Sequence, residues 1–521
     1  MHQFPWLSVL IALPALGAFG VALLPKGSDE LAKRCALTVS VVVAVLTVVM
    51  TARFSANGDR FQFTESYWWI KQFGVHWGLG VDGVALVLIL LSVILVPVVI
   101  LASWNDAERS GGAAEVAPKR SVKTYFALLL TLEAMMIGVF AATDVFLFYV
   151  FFEAMLIPVY FIIGSYGGPQ RSYAAVKFLL YSLFGGLLML VAVIWLYVLS
   201  ARTGQASFMF GDLVKLNIDP TTAKWLFLGF FIAFAIKAPM VPFHTWLPDA
   251  AGQAPAGAAV LLVGVLDKVG TYGMLRFCLE LFPGAAKWAT PVVIALAVAG
   301  IIYGAVLAIG QVDLKRLIAY TSISHFGFII LGIFAMTSQG QSGATLYMVN
   351  HGFSTAALFL IAGFMIARRG SARIDAYGGV QKVAPLLAGT FLIAGLSGLS
   401  LPGLSSFVSE FLVLVGTFTR YKAPAVIATL GMILAAVYIL WMYQRTMTGP
   451  TPEPVKGMKD LSRRELVAVA PVIAIIVALG FFPKPALDVI NPSVTRTLER
   501  VHMQDPKPTV GNKLAEKGVR P

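Results

Sequence analysis

Fourteen stretches of mostly apolar residues recur along the chain, at about 4–24, 33–52, 81–103, 124–142, 144–165, 173–200, 223–246, 257–278, 289–310, 315–336, 344–368, 385–419, 424–445 and 465–482. At 1.5 Å per helical residue, each is long enough to cross a hydrocarbon core about 30 Å thick. The pattern predicts an all-α, polytopic membrane protein of about 14 transmembrane helices. Polar residues concentrate in a stretch at 53–80, where Phe61-Gln62-Phe63-Thr64 suggests a small hairpin, and in charged loops at 104–123 and 446–464. Beyond Pro483 the chain is polar and basic. Its start reads as a surface helix and Pro506 to Pro521 as disordered.

Two of the expected spans are interrupted. The seventh contains Ala235-Ile236-Lys237-Ala238-Pro239-Met240-Val241-Pro242, and the twelfth runs Gly395-Leu396-Ser397-Gly398-Leu399-Ser400-Leu401-Pro402-Gly403. A proline in mid-membrane removes a backbone hydrogen bond, which is tolerable only beside protein or water. Pro239 and Pro402 stand 163 residues apart, an offset that fits two five-helix units, spans 4–8 and 9–13. An odd number of helices per unit inverts the second relative to the first, as in many transporters. The expected organisation is therefore N-terminal helices 1–3 (1–123), a first repeat (124–278), a second, inverted repeat (279–446), and a last helix with a polar tail (447–521).

Composition removes other classes. Of 521 residues 58% are hydrophobic and 12% charged, about half the charge that a soluble surface needs. The net charge of +13 is better explained by cations gathered in cytoplasmic loops than by nucleic acid. Odd-numbered connections hold twenty Lys and Arg, even-numbered ones ten, and the tail seven, which places both termini outside. Cys35 and Cys278 stand alone, so neither an iron–sulfur cluster nor a disulfide framework is expected. No nucleotide loop and no His/Asp/Glu set with metal-ligand spacing is present, and no cofactor or metal is expected in this chain. No basic segment precedes the first apolar run, and the first helix is expected to stay in a bacterial inner membrane as part of a multi-pass protein.

Ionisable residues inside the spans carry the candidate chemistry, because a charge at mid-bilayer costs at least about 2.5–3.5 kcal/mol. Glu153 sits in Val150-Phe151-Phe152-Glu153-Ala154-Met155-Leu156, and Lys237 precedes Pro239 by two residues. Lys268 occupies the middle of span eight, and Glu410 follows Ser405, Ser406 and Ser409 in span twelve. A static ion pair that fixes helix packing is the competing reading for Glu153 and Lys237. Asp267 adjoins Lys268, but neighbouring residues on a helix point apart and need not pair. His325 and His351 lie on apolar spans between a lysine and a glutamate, and imidazole can pass protons near neutral pH. His244, at the end of span seven, suits uptake or gating. Asp144 is expected to cap span five. Glu133 is expected either to shape the field near Glu153 or to hydrogen-bond a neighbour.

Three segments resemble the antiporter-like subunits of respiratory complex I and the Mrp-type sodium/proton antiporters. They are Phe146-Leu147-Phe148-Tyr149-Val150-Phe151-Phe152-Glu153, the long run Ala235 to Ala250 with Phe243-His244-Thr245-Trp246-Leu247-Pro248-Asp249, and Ser322-Ile323-Ser324-His325. The long run is the most specific. Complex I subunits L, M and N share the glutamate and the two lysines; L and N carry a lysine on span twelve, whereas M carries a glutamate. Glu410 occupies that place, and His351-Gly352-Phe353-Ser354-Thr355-Ala356-Ala357-Leu358-Phe359-Leu360 is also similar to subunit M. The resemblance implies a proton-translocating membrane-arm subunit of NADH:quinone oxidoreductase. Glu153 and Lys237 would be the input pair, Lys268 the central carrier, His325 and His351 the linkers, and Glu410 the exit. It implies the neighbouring subunits L and N as partners within lipid, with NADH and quinone bound on other subunits. A Mrp-type antiporter subunit is the alternative.

Overall fold

The computed structural model describes residues 4–109, 121–204 and 206–507. Loop residues 110–120 and most of the expected disordered tail lie outside the described residues. After α1 (Trp6–Leu23) and α2 (Asp29–Thr51), the expected hairpin forms from β1 (Gln62–Ile70) and β2 (Val75–Val81), paired antiparallel. Then follow α3 (Gly83–Ala102), α4 (Val122–Ala141), α5 (Val145–Ala154), α6 (Leu156–Tyr166), α7 (Arg171–Arg202), α8 (Pro220–Lys237), α9 (Trp246–Gln253) and α10 (Ala256–Leu279). The second half holds α11 (Pro283–Ile309), α12 (Leu314–Phe334), α13 (Ser338–Arg369), α14 (Pro385–Gly398), α15 (Ser405–Arg420), α16 (Lys422–Met447), α17 (Arg463–Phe481) and α18 (Lys484–Val501).

Twelve helices among the described residues are long and apolar enough to cross a membrane, with α5 and α6 counted as one. The seventh and twelfth expected spans are absent from that set because each is divided into two shorter helices, α8 with α9 and α14 with α15. Span five, expected as one continuous helix, bends at Met155 between α5 and α6, three residues before Pro158. A proline ring clashes with the preceding turn and costs it a hydrogen bond, which accounts for the bend. Asp144 caps α5 as expected, its carboxylate accepting from the Leu147 amide at 2.9 Å.

Burial sorts the helices. In α10 every residue of the most apolar window is buried, against about a third in α1 and α2. The axis of the bundle is therefore α10, α12 and α13, and the outward faces of α1, α2, α7 and α16 carry large exposed apolar side chains suited to lipid or to a neighbouring subunit. At one end, Glu65 of β1 accepts from the amides of Leu7 and Ser8 at 2.8 and 3.2 Å, capping α1 across 58 residues of chain. The amphipathic α18 is the expected surface helix. It packs against α3 and α13, and the Ser493 hydroxyl accepts from the Gly83 amide at 3.0 Å.

Candidate proton-transfer site

The two helix breaks satisfy their own backbone. After Lys237 the chain leaves the helix because Pro239 has no amide to donate. The Ala235 carbonyl takes the Met240 amide instead, at 2.9 Å, and the Ile236 carbonyl takes the Trp246 indole at 2.9 Å. In the second break, Leu401 donates to the Leu396 carbonyl at 3.0 Å. Ser400 adopts a left-handed backbone (φ 61°), which turns its hydroxyl onto Glu410, a donor to that carboxylate. Such irregular backbone survives at membrane depth only inside protein or beside water; the first break is buried from Ala238 to Met240, whereas in the second Ser400 is buried but Leu401 and Pro402 are exposed.

Around the second break the expected site residues form a hydrogen-bonded line. Lys268 Nζ donates to the Val263 carbonyl at 2.5 Å and to His351 Nδ1 at 2.8 Å. His351 Nε2 meets the Ser322 hydroxyl at 3.2 Å. The His351 and His325 rings lie 5.3 Å apart between centroids. His325 Nδ1 bonds the Tyr347 hydroxyl, and that hydroxyl donates to Glu410 Oε2 at 2.7 Å. Because tyrosine has one proton and gives it to Glu410, His325 donates to it from Nδ1. One interval, between the two rings, needs a water or a ring movement. All five side chains are buried.

The other half is arranged differently. Glu153 and Lys237 make no ion-pair contact within 4.0 Å. Lys237 Nζ lies over the rings of Phe152 and Phe178, 4.9 and 5.8 Å from their centroids, and has no hydrogen-bond partner. The carboxylates whose fields reach it are Glu153 and Asp267. The Glu153 carboxylate rests on α7 at Gly186, where an added Cβ would stand 1.6 Å from Oε1. Glu153 is only partly buried, whereas Lys237 is wholly so. His244 is not joined to the line: it is buried with its ring edge-on to Tyr303 and Nδ1 unpartnered. Glu133 is buried without a hydrogen-bond partner.

Three features were not anticipated from the sequence. Tyr347 completes the line. Asp249, in the first turn of α9, binds Lys177 of α7 at 2.7 Å and Arg316 of α12 at 2.6 Å. Burial works against its charge, but the two cations outweigh burial and hold its carboxyl below the ordinary carboxylate range. Arg276 is buried at the end of α10. It pairs with Asp82 at 2.5 Å and Glu280 at 3.7 Å, and Glu280 in turn binds Arg60 and accepts from Thr497 at 3.0 Å. Among the described residues no His/Cys/Asp/Glu group could hold a metal ion, and Cys35 and Cys278 are both free.

Residues 142–437, which contain the whole line, match the model of the NADH:quinone oxidoreductase/Mrp antiporter transmembrane family. The chain is 52% identical to NADH-quinone oxidoreductase subunit M of Mycobacterium tuberculosis, over all of this chain and 98% of that one. It belongs to that family. Its fold is similar to a chain of respiratory complex I from Thermus thermophilus with bound NADH (TM-score 0.85, 30% identity, 95% of this chain and 99% of that chain). It is also similar to a chain of the Mrp complex from Dietzia sp. (TM-score 0.81, 19% identity, 96% and 100%), a likeness of fold alone. Within the family model fall both helix breaks, Glu153, Lys237, Lys268, both linking histidines, Tyr347 and Glu410.

Proposed function

We propose that this family member translocates protons as subunit M of NADH:quinone oxidoreductase, driven by redox chemistry on other subunits. Full-length identity to relatives of that name supports this over the Mrp-type alternative, for which the similarity reaches 19%. The observation that carries the proton-transfer reading is the buried line from Lys268 through His351, His325 and Tyr347 to Glu410. Acid–base side chains buried on four packed helices, at hydrogen-bond distance but for the interval between the two histidine rings, form a conductor that packing alone does not require. In this reading Glu153 and Lys237 take up the proton, Lys268 is the central carrier, the two histidines and Tyr347 relay it, and Glu410 releases it.

The two five-helix units gain support from matching elements. The third helices of the units, α7 and α13, are both 32 residues long. Each packs against the helix before it and against a broken span. Cation placement supports both termini outside and a bacterial inner membrane. Glu153 supports neighbouring antiporter-like subunits L and N as partners, since a carboxylate half-open at the bundle edge is costly against lipid. NADH, quinone, flavin and iron–sulfur clusters belong to other subunits in this reading, and the purified chain should show no visible chromophore.

Glu153→Gln tests the assignment, because it removes the charge and keeps the shape. Two unit charges about 4–8 Å apart at an effective dielectric near 20 attract by about 2–4 kcal/mol, or one and a half to three pKa units on the lysine. Losing that term should abolish most NADH-driven proton uptake in vesicles holding equal amounts of assembled complex. Near-normal pumping would reduce Glu153 and Lys237 to helix packing.

A further inference from the structure

The line described above begins at Lys268, and nothing yet joins Lys237 to it. No hydrogen bond links the two lysines, and Lys268 Nζ is turned away toward the Val263 carbonyl and His351. Direct passage would require an unaccompanied positive charge to cross a low-dielectric interval. Asp267 stands in relation to both: its carboxylate interacts electrostatically with Lys268 and with Lys237. It is completely buried, and neither Oδ1 nor Oδ2 has a hydrogen-bond partner.

An unpartnered, fully buried carboxylate in the middle of the membrane is not explained by packing. Buried polar groups are paired in proteins, and where no side chain serves, water does. The helix directs this carboxylate toward the break of α8. A wide π-turn, Leu262–Leu266, immediately precedes Asp267, and such turns shift the following side chains off the regular helical register. One turn later Gly270 brings α10 against the break of α8. A Cβ there would stand 2.5 Å from the Phe234 carbonyl and 2.6 Å from the Ala238 amide. Asp267 and Gly270, three residues apart, share a face of α10, so the carboxylate is on the side nearest the break that carries Lys237. Lys268, the next residue, is rotated by about 100° toward α13.

We propose that Asp267 is a proton-carrying residue between Lys237 and Lys268, reached from each through water. The step balances. Protonated Lys237 gives a proton to the Asp267 carboxylate, leaving a neutral amine and a neutral carboxylic acid. The acid then gives the proton to the neutral amine of Lys268, restoring the carboxylate and forming the ammonium that His351 receives from. Both buried charges vanish together in the intermediate, so no isolated cation is stranded. The assignment rests on the proton-transfer reading of the lysines.

The test compares Asp267→Asn and Asp267→Glu in the whole complex, with Lys237→Ala and Lys268→Ala alongside. Proton uptake and NADH oxidation are measured in vesicles with equal assembled complex. Asn keeps the volume and polarity but cannot carry the proton, and pumping should fall by at least about tenfold, while Glu restores most of it. Asn pumping at the parent rate, with both lysine variants impaired, overturns the role of Asp267 alone. Normal pumping in the lysine variants instead overturns the reading beneath it. Loss of assembly in Asn but not in Glu makes Asp267 a structural group and also overturns the proposal.

Discussion

Replacing Tyr347 by Phe keeps the buried ring and deletes one oxygen, and that oxygen is the link between His325 and Glu410. The ring packs edge-on against His325, 5.6 Å between centroids, and beside Phe328, contacts that Phe retains. A hydrogen bond to a charged group is worth about 1.5–3 kcal/mol. If that bond stabilises the transfer from imidazole to carboxylate, its loss slows the step by roughly ten- to a hundred-and-fifty-fold. Ser400 still donates to Glu410, so the carboxylate stays partly satisfied and assembly should persist. The assay is the rate of NADH-driven acidification in inside-out vesicles, normalised to assembled complex, for parent and Tyr347→Phe. Acidification at the parent rate would show that the hydroxyl only packs and that the line is not the route.

Arg276→Leu should cut the amount of assembled complex, since Asp82 and Glu280 lose their shared cation, a cost of about 3–5 kcal/mol; Arg276→Leu with Asp82→Leu should recover part of it on native gels. A cysteine at the exposed Lys459 should react with a membrane-impermeant thiol reagent only from the inner face, and labelling from outside would reverse the topology. Asp249→Asn should loosen α9 by about 1 kcal/mol, a modest figure because the ion pairs are partly exposed. The Asp249 carboxyl is held below its ordinary 3.8, so its contribution is complete above that value and is lost only as pH falls through the lowered one. The shift in thermal midpoint should therefore be the same at pH 5.5 and pH 8, and a change across that interval would contradict the ion-pair account.

The succession of apolar helices, the two breaks and the hairpin are legible because apolar runs and mid-run prolines are local signals. The buried charges are equally visible, since Glu153, Lys237, Lys268 and Glu410 are conspicuous against their neighbours. What escapes is whatever needs a partner distant in sequence. Tyr347 on an apolar helix reads as packing, and only Glu410, 63 residues on, gives its hydroxyl a purpose. Arg276 has no evident role until Asp82, nearly two hundred residues earlier, is placed against it. The π-turn of α10 also leaves no periodic trace, because every residue around it is apolar or buried. The spacing of Glu153 from Lys237 is likewise invisible, as it depends on how α5 bends at Met155.

The seat of Glu153 has a mechanical consequence. The carboxylate lies on bare backbone at Gly186, and the adjacent Gly185 lets α8 approach to where a Cβ would touch the Ala233 Cα at 3.0 Å. Two glycines on one turn of α7 thus set the position of an acid on one side and of the lysine-bearing helix on the other. The opposite face of that helix presents Phe184, Leu187 and Val191 to whatever surrounds the bundle. A lateral push on those side chains moves the floor beneath Glu153 and the wall beside Lys237 together. Against Gly185 the lysine-bearing helix sets only Ala233 and the tip of Ile236, so α7 couples the outer surface to both buried charges.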